Sequence, residues 1–353
     1  MLGNANLTTQ VLFNRLQTDL GRLQGRFADR VGEAATGRRA DLADRLGDSA
    51  APLFGLQASA TQARGHLDRI GLVETRLSVM QSSLQHVRGV ADGLDYRRIL
   101  DDVSNTAGFG ALMQQSATEG IARVASSLNA AVDGRYLFAG LAVDTPPMRQ
   151  HNAMLAAVEG VVAGHVAAAG GRITTTAQVD ALLAEVGSMF DDSHADPALR
   201  FTGQLYQGTP DATPDLSFGD GSGRAITYGA KASEGGVRGL LEGLHLLAAV
   251  QKDDGRFGAA AYRRLAEATV GSIDSGSNAI TGIEVWLGLV QADTASFREE
   301  QQATVAVLER RISALRDADP TEAATRLAAL ETQLQASFLA TSRILRLSLA
   351  NTF

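Results

Sequence analysis

Ten apolar residues, Ala63, Leu67, Ile70, Val73, Leu77, Met80, Leu84, Val87, Ala91 and Leu94, follow one another at spacings of three or four. That spacing draws one apolar stripe down an α-helix. Sustained over several heptads, it is the pattern of a helix lying along another helix. The run predicts a helix over 56–98, about 60 Å long at 1.5 Å per residue. Such a helix is longer than most small domains are wide, so the chain is expected to form a rod-like bundle.

A second long pattern lies further on. Val270, Ile273, Ile280, Ile283, Leu287, Val290, Phe297, Val305, Leu308, Ile312 and Leu315 predict a helix over 257–316. It stops at "DPTE", residues 319–322. There Asp319 is set to cap, Pro320 to open the next helix and Glu322 to close a capping box. The last helix carries Leu327, Leu330, Leu334, Phe338, Thr341, Leu345 and Leu349. The first mirrors it with Leu12, Leu16, Leu20, Leu23, Phe27 and Val31, opposite Arg15, Asp19, Arg22 and Arg26, and Gly37 as its stop. A narrow stripe does not hold a lone helix in water. Neither terminal stripe has a neighbour along the sequence to cover it. The two terminal helices are therefore expected to pair, and subunits to pack through these ends.

Between them the pattern changes. Phe109, Leu112, Ala117, Ile121, Val124, Leu128 and Ala131 predict a helix that stops at Asp133-Gly134, with Gly134 as a left-handed cap. In "DGRYLFAG", residues 133–140, Tyr136, Leu137 and Phe138 read as an extended anchor against a neighbouring long helix. Gly140 lets the chain turn away, and Pro146-Pro147 keep it from resuming a helix. Gly134, Tyr136, Phe138 and Gly140 thus mark a boundary between rod and module. "FTGQLYQG", "DLSFGDG" and "RAITYGA" alternate apolar and polar residues between turn formers, which are hairpin signals. The fold class is mainly α: an elongated bundle of long antiparallel helices from the N- and C-terminal parts, with an inserted α+β outer module. The expected domains are 1–50 with 318–353 (terminal coiled coil), 51–140 with 251–317 (long-helix rod) and 141–250 (module).

Chemistry is sparse. The chain has no cysteine, which excludes a disulfide framework, a thiol nucleophile and a Cys-bound metal. A formal charge of −7 argues against a nucleic-acid binder, and Lys231 and Lys252 are the only lysines. Aromatic residues make up 5%, which suits thin helix-on-helix cores. No run of 18 apolar residues predicts a membrane span, and the start lacks the basic and apolar segments of a cleaved signal. His66 and His86 fall outside the apolar stripe and are expected to be solvated. His194 sits among Asp191, Asp192 and Asp196, but without the alternation of a calcium loop. "GDGSGR", 219–224, precedes a strand pattern and reads as a hairpin turn, not a phosphate cradle. No catalytic site, cofactor or metal is expected, and the chain is read as no enzyme.

The C-terminal run "DADPTEAATRLAALETQLQASFLATSRILRLSLANTF" resembles the C-terminus of the flagellin superfamily. "LFNRLQTDLGRLQGRFADRVGEAATGRR" is similar to that family's N-terminal helix and the turn after it. The ending "LQASFLATSRILRLSLANTF" and the exit "DGRYLFAGLAVDTPPM" favour its hook-associated branch, the proteins at the hook–filament junction. The resemblance covers about 1–148 and 257–353. It implies an extracellular structural subunit of the bacterial flagellum, exported by the flagellar type III apparatus without a cleaved signal. It implies an adaptor joining hook to filament by helical self-assembly. Implied partners are copies of itself in a ring, the adjacent hook-associated protein, filament flagellin and a cytoplasmic export chaperone at the C-terminal region. No nucleic acid and no membrane are among them. The implied assembly and chaperone interface is Leu12, Leu16, Leu20, Leu23, Phe27, Leu327, Leu330, Leu334, Phe338, Leu345 and Leu349. The rival readings are a filament flagellin, which typically ends in a Gln- and Asn-rich pattern, and a flagellin-like protein with an enzymatic insertion.

Overall fold

The computed structural model describes residues 3–40, 50–100, 109–149, 152–219, 225–250 and 255–350. The chain divides into two compact units, 1–67 with 300–353, and 68–299. The boundaries fall inside two long helices, α2 (Ala50–Gly93) and α8 (Ala259–Arg316). Both were legible as heptad runs.

In the first unit, α1 (Gly3–Thr36) packs along α9 (Pro320–Ala350). The expected pairing of the two chain ends is therefore present. The turns that follow α1 and precede α9 are tied together. Gly37 adopts φ +67° and its N–H donates to the Glu33 carbonyl, which ends the helix. The Arg39 N–H then donates to the Arg316 carbonyl at 3.0 Å, and the Ala318 N–H to the Gly37 carbonyl at 2.9 Å. Asp319 caps α9 by accepting from the N–H groups of Thr321 and Glu322 at 2.8 and 3.3 Å. Those bonds to the charged form hold its carboxyl below the usual range. The Glu322 side chain does not close the expected box; it pairs with Arg326 one turn on. In the same unit Leu53, Ala60 and Ile312 form a small core with Leu56, Leu308 and Leu315, and Arg64 pairs with Glu309.

In the second unit α2 and α8 run antiparallel. The α2 stripe from Ile70 to Leu94 is buried, as are Ile273, Ile280, Leu287, Val290 and Phe297 of α8. Ion pairs flank the seam: Glu74 with Arg298, Arg88 with Glu284 at 3.5 Å, and Arg97 with Asp274 at 2.6 Å. Helix α3 (Phe109–Leu128) packs along α7 (Gly235–Ala249) and approaches α2 at Val90. At Gly120 an added Cβ would sit 3.0 Å from a Val90 methyl, so Val90 would have to shift to admit it. Helix α7 meets α8 through glycines on both sides, Gly236 and Gly243 on one, Gly276 on the other. A Cβ on Gly276 would fall well inside van der Waals contact with the Leu240 backbone.

Helix α3 ends at Leu128, earlier than expected. Ala131–Val132 (β1) and Arg135–Tyr136 (β2) pair as a two-residue hairpin, and Asp133 and Gly134 form its turn with φ +52° and +74°. Two successive left-handed residues make the primed turn whose twist suits a hairpin, and Asp-Gly is a favoured pair for it. Gly134 is thus a hairpin turn residue, not a helix cap.

The inserted segment holds α4 (Asn152–Ala168), α5 (Thr176–Phe190), a one-turn α6 (Phe201–Gln204) and a second hairpin, β3 (Leu216–Gly219) with β4 (Ala225–Tyr228). Its connection, 220–224, lies outside the described residues. Thr175 and Gln178 form a capping box for α5. "FTGQLYQG" is not a strand. Phe201 and Leu205 are both buried at helical spacing, and only Tyr206 bridges an extended neighbour, Met148. The described fold is mainly α, with two two-stranded antiparallel sheets among the described residues.

Candidate assembly interface

The α1–α9 pair positions the predicted assembly residues in one unit but does not close over them. Leu16, Leu20, Leu23 and Phe27 are half-buried, as are Leu327 and Leu330; Leu334 alone is buried. Phe338 remains 51% exposed. The side chains of Leu12, Leu345 and Leu349 lie outside the described residues. A cleft of about 530 Å³ stays open along the pair, lined by Arg26, Arg30, Arg326, Leu330 and Gln333 among others. Completing the burial of such side chains is worth roughly 1.5–3 kcal/mol each. Among the described residues, the pair therefore leaves apolar surface part-exposed.

The predicted boundary residues behave differently from one another. Leu137 and Phe138 are buried, Tyr136 is half-buried, and Gly134 is an exposed turn. The segment is fastened through its backbone. The Tyr136 N–H donates to the Val143 carbonyl at 2.8 Å, the Phe138 carbonyl accepts from Ala232 at 2.9 Å, and the Ala139 carbonyl from Thr209 at 3.1 Å. Gly140 sits at φ +65° with Thr209 packed where a Cβ would be. Its glycine is thus required by conformation and by space.

Two residues that sequence reading passed over fix the same region. Lys231 is buried and donates to the carbonyls of Asp211 at 3.0 Å, of Pro210 and of Thr213, with the Asp215 carboxylate 3.6 Å away. Arg238 bonds Asp192 at 2.6 Å and Asp211 at 2.7 Å, and its guanidinium lies over the Phe201 ring at 5.0 Å. The signal was the rarity of lysine; Lys252 lies outside the described residues.

The titratable groups serve structure. Asp191 accepts from the Ser193 N–H, Asp192 from Thr202 and Arg238, and Asp196 from the Ala198 N–H, so the acids around His194 tie their own loop. His165 pairs with Glu185 at 2.7 Å. His66 is buried, contrary to the solvated position expected; His86 is exposed. Among the described residues no group of three His, Asp or Glu is placed to hold a metal. Burial, then the Asp274 carboxylate, pushes the Tyr96 hydroxyl up to about 12, and Tyr96 bonds Asp274 at 2.5 Å. Arg97 in turn holds Asp274 below the usual carboxylate range. Burial, then the Asp191 carboxylate, raises Glu242 to about 6.

Fold and site together define a helical protein whose two ends pair and leave apolar side chains part-exposed along the pair. Residues 270–351 match the family model of the bacterial flagellin C-terminal helical region. The matched residues run along much of α8 and all of α9, so this part of the chain is similar to the flagellin C-terminal region. No curated protein matches the sequence. A solved structure of a flagellar hook-associated protein from Vibrio parahaemolyticus is similar over 76% of this chain and 99% of that one, at 12% identity and a TM-score of 0.48. Among the described residues no helix is long and apolar enough to cross a membrane.

Proposed function

We propose that the protein is an adaptor subunit at the hook–filament junction. The observation that carries the reading is the open α1–α9 pair: the stripes meet and stay half-covered, and the α9 stripe belongs to the part of the chain that matches flagellin. Copies pack side by side through these ends into a ring. Contacts of this head-to-tail kind propagate around and along an axis. The adjacent hook-associated protein and filament flagellin meet the two axial ends of that ring. A cytoplasmic chaperone covers the α9 stripe before export through the type III apparatus. The module within 141–250 faces outward, and the segment from Gly134 to Gly140 sets its orientation. The three-part division into terminal, rod and module domains belongs to this reading.

Loss of the gene tests it. Cells lacking an adaptor should build hooks and release filament material into the medium. Cells that make no filament material at all would mark the chain as a filament flagellin instead.

A further inference from the structure

The second unit is strongly acidic: residues 68–299 hold 18 Lys and Arg against 27 Asp and Glu. Two copies meeting through an arbitrary face of this unit repel. Two helical faces escape that charge. On α8 every exposed residue from 275 to 292 is uncharged, and Glu284 between them is paired with Arg88. Three are large and apolar: Val285, Trp286 and Leu289 are 60%, 37% and 65% exposed. On α4 every exposed residue from 153 to 168 is Ala or Gly, apart from Glu159. That face borders an open groove of about 570 Å³, lined by Ala157, Gly160, Val161, Gly164 and Leu199, with the His165–Glu185 pair at its rim. Nothing lies within 4 Å of where a Cβ on Gly160 or Gly164 would stand.

We infer that the α8 face of one copy seats on the α4 groove of a second copy, with Trp286 and Leu289 entering beside Gly160 and Gly164. The two faces match in three respects. Each is about 25 Å long at 1.5 Å per residue. Little of the unit's negative charge enters the joint, only Glu159 on the α4 face and Glu185 at the groove, the latter paired with His165. One is bulky where the other is bare, so side chains fill space that glycine leaves open, and helix axes approach closely. A single crossing of this kind buries less than the roughly 1,200 Å² of a stable complex. The contact therefore forms only at high local concentration, and dilute protein stays monomeric. It joins different faces of two copies, so it propagates and does not close on itself. Neither face belongs to α1 or α9, and the contact stands whether or not the junction reading does.

The chain has no cysteine, which makes the test direct. Full-length Leu289→Cys and Gly160→Cys proteins, prepared separately, are mixed at high concentration and oxidised. The mixture should give several-fold more disulfide-linked dimer than either variant alone. Adding Trp286→Ala to the Leu289→Cys protein should remove that excess while the circular dichroism stays unchanged. No excess in the mixture, or an excess indifferent to Trp286→Ala, overturns the contact. The unmodified chain supplies a second readout, since Trp286 is its only tryptophan. Its emission should move to the blue as concentration rises, and Gly160→Glu should prevent the move. Emission independent of concentration overturns the contact, and the flagellar reading is untouched by that result.

Discussion

Lys231 acts as an internal cation. Its ammonium replaces water for three backbone carbonyls of 210–213 and neutralises Asp215. Lys231→Met keeps the stem but strands those acceptors, and leaving buried partners unmet costs about 1–3 kcal/mol each. The variant should lose about 2–4 kcal/mol of stability in urea unfolding. Glu242 works in the opposite sense. Its carboxyl titrates near 6 in the fold against 4.5 for the free group, so the folded chain holds this proton more tightly. Its contribution to stability is fully present below pH 4.5 and is lost as pH rises through 6. Glu242→Gln should therefore be more stable than the parent at pH 7.5 by about 2 kcal/mol. The gap should close below pH 4.5; a constant gap across that window would remove burial of the charge as its cause.

Elements divide by how many turns their pattern spans. The stripes of α2 and α8 repeat over dozens of residues, so periodicity alone located both, and the expected ends 257–316 lie close to Ala259–Arg316. Pairing of α1 with α9 followed because each stripe needed a cover. Short segments escaped the same reasoning. At Asp133-Gly134 a helix cap and a hairpin turn both call for a left-handed glycine, and only the pairing of 131–132 with 135–136 decides between them. "FTGQLYQG" alternates like a strand, yet two buried residues four apart, Phe201 and Leu205, turn it into one helical turn. His66 lies beside the stripe and is covered by packing that a single helix cannot reveal. Gly134→Ala should cost roughly 1–2 kcal/mol, the penalty of a left-handed L-residue. Gly276→Val should cost more, about 2–3 kcal/mol or above, because α7 must move off α8. Thermal unfolding of the two variants side by side checks that order.

At the scale of the molecule, the stripes that pair α1 with α9 were legible as faces, while the contacts of Lys231 and Arg238 were not. A stripe is written in periodic spacing; a polar knot is assembled from 192, 211, 215, 231 and 238, which only the fold brings together. If the α1–α9 edge is the assembly surface, a chain ending at Leu334 should keep a mostly helical circular dichroism spectrum and fail to attach filaments to hooks. Attachment at the normal level by that chain would count against the edge. The most direct measurement is a map of the assembled hook–filament junction at a resolution that traces helices. In that map α1 and α9 of neighbouring copies should line the central tube, with Leu16, Leu20, Leu23, Phe27, Leu330 and Phe338 covered between subunits. A map with α1 and α9 outside the tube, or with no density for this chain at the junction, would contradict it.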